Sequence, residues 1–109
     1  MNRRKIIDNP DAEKIFHLYY DLIERLFNKA KKGELDYQSD MRKLDQYLAR
    51  AERAGIGDEM HGLILNHKGL ICSMSGRTKE GNAFYQQGHD WFRQLDDIHG
   101  VMMVTTNYA

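Results

Sequence analysis

Five histidines and one cysteine are the residues of this 109-residue chain best suited to hold a metal or attack a substrate. A helix offers two ligands to one ion when they stand three or four places apart, as in His-Glu-x-x-His. His61 and His67 are six apart, and His89 and His99 are ten apart. None of them combines with Cys72 at a recognised zinc spacing. The histidines therefore read as ordinary surface or groove residues, and no metal site is expected. Cys72 as a nucleophile would need an adjacent base and an electropositive setting. It stands instead in an apolar helical pattern, where a small core residue is expected, and as the only cysteine it can form no intrachain disulfide. Gly76-Arg77-Thr78 has a faint look of a phosphate loop. That motif requires Lys before Ser/Thr and a further glycine where Ile71 stands. No strand precedes it, so it reads as a turn between helices. The carboxylates are scattered in solvent-facing patterns. No catalytic residue, no cofactor and no enzymatic activity are expected.

The composition points the same way. Sixteen basic and sixteen acidic residues give a formal net charge of zero, whereas a nucleic-acid binder carries a basic excess. Arg3-Arg4-Lys5 could touch a phosphate backbone or an acidic partner, and Lys29, Lys31 and Lys32 suit the end of a helix. No nucleic-acid partner is expected. A single proline and no Ser/Gly-rich tract leave little room for a linker, and the length suits one domain with a modest core, residues 1–109. No long apolar run follows the charged start, so no signal peptide or membrane span is expected and the cytoplasm is the default location.

The elements that would position these residues are helices. Asn9-Pro10-Asp11 is a helix start: a cap, a proline at the first helical position and an acid in the first turn. Ile15, Leu18, Tyr19, Leu22, Ile23, Leu26 and Ala30 then recur at three and four places, and Phe16, Tyr20 and Phe27 widen the stripe. Gly33 is placed to end this helix. Asp36 or Ser39 can open a second, with Met41, Leu44, Leu48, Ala51 and Ala54 on its apolar side and Gly55 at its end. A third helix runs from near Asp58 to about Ser75, and a fourth from near Thr78 to about Asp96, carrying Ala83, Phe84, Trp91, Phe92 and Leu95. A fifth segment from about Asp97 holds Val101, Met102, Val104 and Tyr108. No strand is expected. The fold class is all-α, with turns near Gly33, Gly55 and Gly76.

Glycine inside a helix costs about 1 kcal/mol relative to alanine, so Gly69, Gly81 and Gly88 need a reason. Close approach of two helices supplies one. Gly69-x2-Cys72-x3-Gly76-x4-Gly81-x3-Tyr85-x2-Gly88 resembles the small–large–small pattern of the tetratricopeptide repeat. Gly69, Gly76 and Tyr85 match outright. Gly81 and Gly88 are small where the family has Ala, while Cys72, Leu65 and Lys68 replace its Tyr, Trp and Leu. Phe92-Arg93-Gln94-Leu95-Asp96-Asp97-Ile98-His99-Gly100 resembles the link of the longer variant, about 40 residues in period. Asn107-Tyr108-Ala109 resembles the start of another unit.

The resemblance implies a short α-solenoid of antiparallel helical hairpins wound as a right-handed superhelix. Residues 9–55 would form a degenerate or capping hairpin, 58–96 a repeat-like hairpin, and 97–109 the start of a further repeat or a capping helix. It further implies a protein–protein interaction module whose concave groove binds a peptide or helix of a partner. Asn66, His67, Leu70, Ser73, Met74 and Asn107 take the groove positions. The family's chaperone-binding subclass has Lys and Asn where this chain has Asn66 and Leu70, which speaks against a carboxylate clamp. The alternative is a homo-oligomerisation module in which Val101, Met102, Val104 and Tyr108 meet a second copy as a homodimer, because the pattern breaks off inside a repeat and leaves that apolar face uncovered.

Overall fold

In the computed structural model, residues 10–94 are described, and among them every regular element is an α-helix. The chain divides into two compact units, with the boundary between Gly57 and Asp58.

The first unit holds α1 (Pro10–Lys31) and α2 (Tyr37–Arg53). Proline at the first position of α1 lacks an N–H that would have no intrahelical partner there. Asp11 and Glu13 in the first turn, and Lys29 and Lys31 in the last, complement the helix dipole. One side of α1 is buried through Ala12, Ile15, Phe16, Tyr19, Leu22, Ile23 and Leu26. Full burial of a leucine such as Leu26 or Leu44 contributes roughly 1.5–3 kcal/mol. Tyr19 meets Tyr47 of α2 edge-on, ring centroids 5.7 Å apart. Tyr20 departs from the expected stripe: it is 49% exposed. One residue is 100° of helix, which carries Tyr20 past the edge of the side that Tyr19 centres.

All three helix ends predicted at glycines are Schellman turns. Gly33, Gly55 and Gly76 have φ of 69°, 79° and 76°, a region where side chains with a Cβ are strained. At the second of these, the Ile56 amide donates to the Ala51 carbonyl at 2.9 Å and Ile56 itself is fully buried. The turn thus ends α2 and contributes a core residue.

The α1–α2 connection is held by Asp40, which the sequence reading did not single out. Asp36 caps α2 by accepting from the Ser39 amide at 3.2 Å. Asp40, one turn on, accepts from the Asp36 amide at 2.9 Å, from Lys29 Nζ at 2.8 and 3.0 Å, and from Lys43 Nζ at 3.3 Å. Burial pushes its carboxyl up, but Lys29, the Asp36 amide and Lys43 outweigh it and hold the group below its ordinary value of 3.8. A lowered folded pKa stabilises the protein above the ordinary value, and that contribution is lost as pH falls through the folded one. Asp40→Asn keeps the shape and removes the charge. It is expected to lower stability in urea denaturation at neutral pH by about 1–3 kcal/mol, with the deficit closing in strong acid. An Asn variant as stable as the parent would show that the lysines are satisfied by water alone.

The second unit holds α3 (Gly57–Met74) and α4 (Thr78–Gln94). A Cβ on Gly62 would fall on the Phe92 ring, and one on Gly69 would fall on the Tyr85 ring. Seven places forward on α3 go with seven places back on α4, as antiparallel helices require. The interlock then reverses: a Cβ on Gly81 of α4 would lie 2.9 Å from the Gly69 carbonyl and 3.0 Å from Ser73 Oγ. Glycine slots on each helix receive bulk from the other. The buried face of α4 is therefore Gly81, Tyr85, Gly88 and Phe92. Ala83, expected on the apolar side, is exposed, and Phe84 and Trp91 are half-buried. Trp91 donates from Nε1 to the Asp58 carbonyl at 2.8 Å and packs its ring on His61 at 4.3 Å. Lys68 lies over Phe84 at 5.6 Å.

Candidate interaction surface

No three His, Cys, Asp or Glu side chains converge as a metal site among the described residues. Cys72 is fully buried and is not part of a disulfide. Gly76-Arg77-Thr78 is a helix–helix turn, closed by the Arg77 amide on the Cys72 carbonyl at 2.7 Å. No described helix is long and apolar enough to cross a membrane.

The residues expected to form a groove lie along one side of α3, at the three- and four-residue spacing that keeps side chains on one face. Their accessibility is graded. Asn66 is 2% exposed and His67 8%. Leu70 is half-buried, while Ser73 and Met74, in the last turn, are exposed, Met74 at 42%. The buried Glu59 and Leu63 continue this side toward the helix start. Desolvation pushes the His67 imidazole down to about 4 from 6.5, against a hydrogen bond to the Leu63 carbonyl that favours protonation. His67 is thus a neutral ring at physiological pH. Ser73 is exposed yet tied down, since its hydroxyl is hydrogen-bonded to Tyr85. Asn107, Val101, Met102, Val104 and Tyr108 lie outside the described residues.

Burial changes what Asn66 should do when altered. The sequence reading treats it as a surface residue whose loss shifts stability by less than about 0.5 kcal/mol. The register that pairs 62 with 92 and 69 with 85 sets position 66 opposite Gly88, and both residues are buried. Asn66→Ala strips a buried amide from its partners, so the expected loss is about 1–3 kcal/mol in thermal or urea denaturation. A change under 0.5 kcal/mol would return Asn66 to the surface.

Sequence reasoning missed one further surface residue. Tyr20 and Met74 are the exposed large hydrophobic side chains among the described residues. Phe16 stacks on Tyr20 with ring centroids 6.4 Å apart and planes 28° apart. The signal was the wheel position of Tyr20, beyond the stripe that runs from Ala12 to Leu26.

No family model, no curated protein and no solved structure matches this chain.

Proposed function

We propose that the chain is a helical-repeat interaction module, a short α-solenoid in the manner of tetratricopeptide repeats, that binds a peptide or helix of a partner protein along α3. The observation that carries the reading is the apolar edge left open at the end of α3, where Leu70 and Met74 flank Ser73 on one side of the helix. Ser73 belongs to the hairpin's own packing, bonded to Tyr85 and set against Gly81, whereas Met74 beside it is 42% exposed. The interlock adds support: Gly69, Gly81 and Tyr85, on which the family resemblance rests, are the residues through which α3 and α4 touch. The buried Asn66 and neutral His67 then stiffen the wall behind the edge, and the accessible contact is Leu70 with Met74.

A photo-crosslinking residue placed at position 74 in cells tests this directly. The expected result is a discrete adduct with another protein, absent when the same group is placed at the exposed Gln87 of α4. An adduct with a second copy of the chain would replace the module by a self-assembly element. Identical labelling from positions 74 and 87 would remove the site.

A further inference from the structure

We infer that α1 carries a second docking surface, separate from the α3 edge, that takes a cationic segment of a partner protein on Tyr20. The exposed ring is held in place by its stack on Phe16 and its edge contact with Tyr19, centroids 5.9 Å apart. A bound segment therefore meets a face that is already oriented. A shallow groove runs along α1 from Pro10 to Tyr20, with Glu13, Lys14 and His17 on its polar side.

The charges decide the kind of occupant. At 100° per residue, Glu13 and Glu24 lie within about 40° of Tyr20 around the helix and His17 about 60° away; Lys31 returns to this side only about 16 Å beyond Tyr20, and Lys14 and Arg25 lie about 120° and 140° away. Both glutamates are exposed, and no described residue pairs with either. Folding of this unit therefore leaves both carboxylates unused, one on each side of an exposed aromatic face. With a rise of 1.5 Å per residue, the row from Glu13 through Tyr20 to Glu24 is roughly 16 Å long. A guanidinium or ammonium group finds the ring face at Tyr20 and a carboxylate one turn away at Glu24. The aliphatic stems of Arg and Lys suit the apolar strip beneath. The same carboxylates repel phosphate, which disfavours nucleic acid and anionic lipid as occupants.

The test is a titration of the whole chain, followed by fluorescence anisotropy, with a labelled, end-blocked pentapeptide of alternating arginine and leucine. Its arginines share one face of an extended strand and span roughly 13 Å. Saturable one-to-one binding is expected, weakening as salt is added. Tyr20→Ala is expected to weaken it at least about threefold. The double variant Glu13→Gln with Glu24→Gln should do the same and flatten the salt dependence, with an unchanged circular dichroism spectrum. Met74→Ala should leave the affinity unchanged, which separates this surface from the α3 edge. Equal affinity in the glutamine double variant would overturn the inference. Binding of the corresponding glutamate–leucine peptide, or of phosphatidylserine vesicles, as tightly as the arginine peptide would overturn it too.

Discussion

Gly69→Leu is expected to destabilise the α3–α4 hairpin by about 2–3 kcal/mol, even though leucine is the better helix former by nearly 1 kcal/mol. The position has no room for even a first carbon, because a Cβ would land on the Tyr85 ring. That ring is 1% exposed and its hydroxyl is bonded to Ser73, so it cannot swing away without breaking a hydrogen bond and reopening the contact. On the other side of the same contact, the Gly69 carbonyl lies 2.9 Å from where a Cβ on Gly81 would stand, so the two backbones are already close. Gly69→Ala should show the same effect reduced to about 1 kcal/mol or less, with the propensity gain offsetting part of the clash. A double-mutant cycle with Tyr85→Leu isolates the steric term: the cost of Gly69→Ala should shrink when the ring is gone. Urea denaturation of the four proteins measures it. A stabilised Gly69→Leu protein would place this glycine in open space and remove the closest physical support for a repeat-like hairpin.

What the sequence made legible, and what it did not, follows from the range of the interactions involved. Helix ends were readable because each is a local event: Pro10 starts α1, and Gly33, Gly55 and Gly76 adopt the left-handed backbone that the chain needs to turn. The close approach at Gly69 was readable because a glycine inside a helix is disfavoured unless a neighbour needs the space. Its partner was not, since nothing local says that Tyr85 and Phe92 fill the slots at Gly69 and Gly62 while Phe84 and Trp91 stay half-exposed. Aromatic residues one position apart look alike to a periodicity count, and only the register of the hairpin chooses between them. Asp40 was missed for a related reason. Its lysine partner Lys29 stands eleven residues away across a turn, and an acid near a helix start is adequately explained by the dipole alone. The groove positions came from family resemblance, which assigns residues to positions along α3 and says nothing of their depth. Asn66 and His67 prove buried where Ser73 and Met74 are open.

Acidification is expected to remove about 3 kcal/mol of stability between pH 6.5 and pH 4 through His67 alone. The imidazole is 8% exposed on a helix buried over most of its surface, and burial pushes its pKa down to about 4. The unfolded chain titrates this histidine near 6.5, so between the two values it binds a proton that the folded chain refuses. Stability then falls by about 1.4 kcal/mol per pH unit through that window and levels off below it. Asp40 acts in a separate range, because its contribution is intact above the ordinary carboxylate value of 3.8 and fails only below it. The two effects are therefore separable by pH. His67→Gln keeps a donor for the Leu63 carbonyl and removes the titration. Whatever it does to stability at pH 7, subtracting its pH–stability curve from that of the parent should leave a single sloping segment between 6.5 and 4. Nuclear magnetic resonance supplies the independent check: the His67 ring protons should hold their neutral shifts at pH 5.5. A His67 titration midpoint near 6.5 in the folded protein would mean that the ring reaches water, and the wall behind Leu70 and Met74 would then be open to a ligand.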